Sequence, residues 1–196
     1  MRGHQLTTDL LRRVYEDGAF PMAEPDGSVE FYVPYRRCLM PIEGIHVSRS
    51  LARVIRKGEF EIRFDSDFEG VMRGCMVRAE GTWISEDFIR VYGEAFREGW
   101  SHCCETWKDG KLVGGIYGLA IGTCFCAESM FHRATNASKV AIWAMVNRCR
   151  EAGFTLFDAQ LMNPHLASLG AFEVPHEAYL ISLSHALRNE AHWPSE

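Results

Sequence analysis

Three polar residues set in apolar surroundings carry the chemistry of this 196-residue sequence. Residues 123–130, TCFCAESM, read as a strand in which Glu128 is the one carboxylate of an otherwise apolar run. A carboxylate withdrawn from water is costly unless a cation or hydrogen-bond donors meet it. A second apolar run, residues 154–160, carries Asp158 and Gln160 two positions apart. Alternate residues of a strand face the same way, so these two are predicted to project together. If the two strands lie side by side, Glu128, Asp158 and Gln160 can share one cleft. A carboxylate such as Asp158, alone or through Gln160, can take a proton and stabilise developing positive charge. The Gln160 amide offers both a donor and an acceptor with which to orient a substrate. Glu128 fits either an acceptor for a cationic amine or one half of a structural ion pair with Arg133 or Lys139.

Positioning these groups requires a strand, a loop, a helix and a second strand. Ala134-Thr135-Asn136-Ala137-Ser138 supplies the helix cap, Ile142, Met145, Val146 and Cys149 line the inner face, and Gly153 ends the helix. If the two strands are parallel neighbours, the crossover is right-handed. Upstream, residues 102–107 and 111–119 read as a hairpin turned at Asp109-Gly110. Gly114, Gly115 and Gly118 within it mark a bulge or a close approach to the backbone. Strands in series followed by this unit specify a mixed sheet with helices against it, an α+β domain.

The earlier part of the chain reads as a helix after Thr7-Thr8-Asp9, with Leu10, Leu11, Val14 and Tyr15 on one face, then short strands at residues 31–33 and 38–40. Between the strands, Tyr35-Arg36-Arg37 is polar and reads as exposed. A helix beginning at Ser48 or Ser50 turns Leu51, Val54 and Ile55 inward, leaving Arg49, Arg53 and Arg56 as a stripe with Lys57 beside it. That stripe is either a solvated face or a phosphate-binding one. A half-buried strand at 60–64 and two capped helices follow, one carrying Phe68, Val71, Met72 and Cys75, the other Phe88, Val91, Tyr92 and Ala95. Glu173-Val174-Pro175 leads to a last helix with Tyr179, Leu180, Leu183 and Leu187, and the polar tail past Arg188 is expected to fray. A boundary near residue 60 divides a small N-terminal unit, residues 1–60, from a main domain, residues 61–196.

Composition is that of an ordinary globular protein, 47% hydrophobic and 24% charged. A net charge of -5 argues against nucleic acid in general without excluding a local basic patch. The seven cysteines sit mostly in apolar runs and form no CxxC pair, so they read as free buried thiols of a reducing cytosol and not as metal ligands. His102 and His165 read as structural. No apolar run reaches the roughly 18 residues of a membrane span, and the start has no apolar signal core, so the expected location is cytoplasmic.

The motifs Gly81-Thr82-Trp83-Ile84, Gly114-Gly115-Ile116-Tyr117-Gly118, Phe125-Cys126-Ala127-Glu128-Ser129-Met130-Phe131, Asn136-Ala137-Ser138-Lys139 and Asp158-Ala159-Gln160, the last followed by Asn163-Pro164-His165-Leu166, together resemble the bacterial leucyl/phenylalanyl-tRNA–protein transferases. Phe20-Pro21-Met22 and His46-Val47-Ser48-Arg49-Ser50 fit as well, and the likeness runs from about residue 6 to residue 181. It implies a GNAT-like (acetyltransferase-like) catalytic domain behind a small N-terminal domain. It implies transfer of leucine or phenylalanine from Leu-tRNA or Phe-tRNA to proteins with N-terminal Arg or Lys, which marks them for degradation by the N-degron route.

By the same resemblance Asp158 and Gln160 stand at the catalytic positions, with Glu128 beside the amino groups. Trp83 stacks on the terminal adenosine, while Ile116, Phe125, Met130 and Phe157 line the aminoacyl pocket. Ser129 also binds substrate, and Asn163 lies next to the acceptor peptide. The arginine stripe Arg49, Arg53, Arg56 and Lys57 becomes a tRNA contact. An aminoacyl ester is already activated, so neither ATP nor a metal or other cofactor is called for, and a monomer suffices. The chain departs from the family at Met22, where many members have tryptophan, and at the less basic residues 175–180. Two rivals share parts of this pattern: an acyl-CoA-dependent N-acetyltransferase and a non-catalytic binder of N-terminal peptides. The absence of glycine from residues 132–138 speaks against coenzyme A, whose pyrophosphate needs crowded backbone N–H groups at a helix start.

Overall fold

The computed structural model describes residues 6–24, 26, 28–77 and 84–194. The chain opens with α1 (Thr8–Glu16), capped by the Thr7 hydroxyl, which accepts from the Leu10 N–H. A hairpin of β1 (Phe20–Ala23) and β2 (Val29–Tyr32) follows, then β3 (Arg36–Met40) and α2 (Arg49–Lys57), which starts at a Ser48 cap and stops at a left-handed Gly58. Next come β4 (Glu61–Phe64), α3 (Phe68–Met76) and α4 (Glu86–Arg97). The long meander is β5 (Ser101–Lys108), β6 (Lys111–Ile121) and β7 (Cys124–His132). The chain ends with α5 (Ala137–Glu151), β8 (Leu156–Gln160), α6 (Pro164–Ser168), β9 (Phe172–Pro175) and α7 (His176–Ala186).

Seven strands form one sheet in the order β4-β5-β6-β7-β8-β3-β9. All neighbours are antiparallel except β7 and β8, the pair joined across α5. This is the mixed α+β sheet that the pattern called for. Side-chain alternation sends Cys103, Cys124 and Cys126 into a core shared with α1, α3, α4 and α7, and Cys104, Phe125 and Ala127 into one shared with α2 and α5. All seven cysteines are buried and unbridged. Among the described residues, no helix is long and apolar enough to cross a membrane.

Three segments differ from the sequence reading. Residues 173–175 are part of an edge strand, β9, because β3 offers them a ladder on the side away from β8. Arg37, read as exposed, is fully buried, since β3 lies between β8 and β9. The tail is held as far as Trp193, which stacks on His102 with ring centroids 4.0 Å apart and whose indole N–H donates to Asp65 Oδ2 at 2.8 Å. The division anticipated near residue 60 falls between α2 and β4, while β3 from before it sits inside the main sheet.

One irregularity matters for the site. The β6–β7 register passes from Gly118↔Ala127 to Tyr117↔Ser129, leaving Glu128 without a partner across β6. An extra residue in one strand is a β-bulge, which bends the strand and re-aims the side chain it carries. Gly118 is required opposite it, because a Cβ there would come within 2.3 Å of the Cys126 carbonyl oxygen and 2.7 Å of the Phe125 ring. Gly118→Ala is therefore expected to lower stability by about 1–3 kcal/mol. Urea unfolding checks this, and an unchanged midpoint would remove the packing argument.

Candidate active site

β7 and β8 are paired only from Cys124↔Leu156 to Cys126↔Asp158. Beyond that level β7 continues to His132 while β8 ends at Gln160, and the strands part. The gap is a cleft of about 430 Å³, walled by Ala127–Met130 on one side, by residues 159–161 and α6 on another, and by Phe20, Pro21 and Met22 of β1. The bulge turns Glu128 into its head.

The Glu128 carboxylate is met by neutral donors. Gln160 Nε2 donates to its Oε1 at 2.8 Å and the Tyr92 hydroxyl to its Oε2 at 2.8 Å. The Tyr92 hydroxyl lies 2.9 Å from that of Tyr15, and both phenols are fully buried. Arg133 donates to the Leu112 carbonyl instead, so the structural ion pair with it does not form. Burial pushes the Glu128 carboxyl up to about 7, against the pull of the hydrogen bonds from Tyr15 and Tyr92. The group keeps part of its surface in the cleft, so near neutral pH it can both give and take a proton. Burial, and then the Glu128 charge, raise both phenols well above their ordinary range, which keeps them as donors.

Asp158 is placed differently from what strand alternation suggested. It is fully buried and turned away from the cleft. Arg37 Nε donates to its two oxygens at 2.8 and 3.0 Å, and Arg37 Nη2 to Oδ2 at 2.6 Å. The Tyr179 hydroxyl adds a bond at 2.9 Å, and the backbone N–H of Gln160 another at 2.9 Å. The Arg37 guanidinium is held by the Gly18 carbonyl at 2.8 Å and by the ring of Tyr179, whose centroid is 4.4 Å away. Burial opposes the Arg37 charge, but Asp158 outweighs it and holds the pKa above its ordinary value. A buried pair of this kind adds little net stability, whereas removing one partner costs about 3–5 kcal/mol. The bond from Asp158 to the Gln160 N–H holds Gln160 at φ 61, in the left-handed region, with its amide aimed at Glu128. Only Gln160 of the two reaches the cleft.

Of the other anticipated site residues, Ser129, Met130 and Asn163 line the cleft, and Asn163 Oδ1 also caps α6 by accepting from the Leu166 N–H at 2.9 Å. Ile116, Phe125 and Phe157 do not line it; at most 1% exposed, they pack in the core against α5, because alternation turns them to that side. Trp83 lies outside the described residues. Arg49, Arg53, Arg56 and Lys57 are exposed on α2, and none pairs with a carboxylate among the described residues. Sequence reasoning missed Arg37, Tyr15, Tyr92 and Tyr179. The available signal was a tyrosine on each of three apolar helix faces, since a buried phenol needs a polar partner.

Residues 39–184 match the family model described as leucyl/phenylalanyl-tRNA protein transferase. Proteins named leucyl/phenylalanyl-tRNA–protein transferase from Chlorobaculum parvum and Rubrobacter xylanophilus are 48% and 46% identical, over 91% and 94% of this chain and 94% and 96% of their own. The chain belongs to the leucyl/phenylalanyl-tRNA–protein transferase family. Among solved structures, a GCN5-related N-acetyltransferase-like protein from Streptococcus suis aligns at a TM-score of 0.34 and 13% identity, covering 92% of this chain and 61% of that one. The span matching the transferase family contains Glu128, Asp158, Gln160, Tyr92 and Tyr179; Arg37 stands two residues before it.

The raised pKa of Glu128 has a stability consequence of definite sign. A carboxyl that binds its proton more tightly in the folded state loses stability as pH rises from its unfolded pKa, about 4.3, to its folded one, about 7. Glu128→Gln removes that loss. Urea unfolding of both proteins across this window is expected to show the variant gaining on the parent as pH rises; a constant difference would contradict the placement of Glu128.

Proposed function

We propose that this transferase moves leucine or phenylalanine from the 3′ end of a charged tRNA to the N-terminal amine of a protein beginning with arginine or lysine. The product is marked for degradation, and the protein works as a cytoplasmic monomer. Membership of the family supports the reaction. The observation that carries it is the Glu128 carboxylate at the head of an open cleft, bridged by the Gln160 amide and poised near pH 7.

The amine must be neutral to attack the ester carbonyl carbon. Its lone pair forms the new amide bond, the bond to the ribose oxygen breaks, and the amine loses a proton while the ribose hydroxyl gains one. Ionised Glu128 is the group in the cleft suited to receive the ammonium and take its proton. Gln160 has one amide N–H committed to Glu128, which leaves its oxygen to orient the amine. Asp158, saturated by Arg37, Tyr179 and Gln160, is a positioning residue rather than a base. Holding two substrates in register lowers a barrier by roughly 7–11 kcal/mol, so modest proton transfer is enough.

Label from leucyl-tRNA is expected in a peptide that begins with arginine, with none from acetyl-CoA. Glu128→Gln and Gln160→Ala should reduce kcat/KM about a hundredfold or more. Asp158→Asn should reduce it too, by releasing Gln160. Near-parental transfer by Glu128→Gln and Asp158→Asn together would end the site assignment, and acetyl transfer would give the reaction to the acetyltransferase reading.

The unpaired cations of α2 are the proposed tRNA contact. Each neutralised phosphate contributes roughly 0.7–0.9 to the slope of log affinity against log salt. Replacing Arg53 and Arg56 by alanine is expected to make that slope shallower by about 1.5, as read by tRNA binding between low and physiological salt. An unchanged slope would remove α2 from the interface.

A further inference from the structure

β7 is bonded to β6 as far as Gly114↔His132, but to β8 only as far as Cys126↔Asp158. Beyond Cys126 its other edge faces the cleft, and among the described residues no strand lies on it. The Arg133 N–H donates to the Val113 carbonyl at 2.6 Å, toward β6. Backbone groups alternate along a strand, so those of Met130 and His132 point the opposite way, into the cleft. A strand edge of this kind is a template for an added strand.

We infer that the acceptor binds as an added strand: its first residues pair in extended form with β7 beyond Cys126, through the cleft-facing backbone groups of Met130 and His132, parallel to β7, in the place that β8 vacates. The inference rests on the acceptor being a protein N terminus. Charge complementarity selects that occupant. Glu128, the only carboxylate among the described residues that line the cleft, stands at the inner end of this edge and suits a terminal ammonium. Direction selects it as well. Gln160 and the end of β8 close the inner end, so a chain lying here can only begin there and run outward past Met130 and His132. An internal segment would have to continue through β8. The stretch of β7 beyond its pairing with β8, six residues at about 3.3 Å each, accommodates the first few acceptor residues and demands that they be unfolded.

In a parallel pair, each strand directs the N–H and C=O groups of alternate residues toward its neighbour. Methylating one peptide nitrogen at a time should therefore weaken binding with a period of two. The experiment uses an acceptor peptide that begins with arginine, labelled at its C terminus with fluorescein, and versions N-methylated at position 2, 3 or 4. Binding is read by anisotropy and, separately, acceptance of leucine from leucyl-tRNA. About a tenfold loss is expected at one parity and less than twofold at the other. Equal losses, or none, while leucine is still transferred would overturn the added strand and leave the reaction standing. Alternation in binding without transfer would keep the added strand and overturn the reaction. A peptide that neither binds nor accepts leucine would overturn both.

Discussion

The buried pair of Arg37 and Asp158 is the constraint on which the site depends. Its members come from adjacent strands of the sheet, and the guanidinium also grips the Gly18 carbonyl ahead of β1 and the Tyr179 ring of α7. Neither charge reaches water, so each is tolerable only with the other in place. The pair thus brings together the wall of the cleft, the strand that carries Gln160 and the last helix. Through one backbone N–H it also decides where the Gln160 amide points. A residue buried away from the cleft sets the geometry of one that lines it.

Two departures from regular sheet structure create the inner end of the cleft. The parallel pair β7–β8 parts after a few rungs, which opens space, and the bulge on β7 swings Glu128 into it. Neutral partners then leave the carboxylate without a counter-cation, so desolvation prevails and its affinity for a proton rises. A cation in the place of Tyr92 would have pulled the other way and produced a permanent anion. The tyrosine pair supplies support without that penalty. Bulge, glycine and phenols make sense together, since Gly118 leaves the room in which the β7 backbone can shift.

Much of the fold was legible in the chain. The helix faces of α3, α4 and α5, the Asp-Gly turn and the crossover unit follow from periodicity and caps, because those signals are local. Glu128 and Gln160 were legible for a different reason: a polar side chain in an apolar run asks for an explanation. Arg37 was not, since a short stretch rich in arginine looks exposed until one knows that strands flank it on both sides, and those strands lie more than a hundred residues away. β9 was obscured in the same way, by a proline and by pairing with a distant strand. Ile116, Phe125 and Phe157 lie on strands near the site and pack in the core behind it, a placement that periodicity alone does not distinguish from a pocket wall.

The separation of 121 residues between Arg37 and Asp158 also bears on how the protein is made. While the chain emerges from a ribosome, β3 is present long before either of its neighbours. The antiparallel meander of β5, β6 and β7 is local in sequence and can form first, but the cleft has only one wall until β8 arrives. α7, which supplies Tyr179, comes later still. A nascent chain therefore carries Tyr15, Tyr92 and Glu128 well before Gln160 and Tyr179, and the cleft takes its shape only once β8 and α7 have been made.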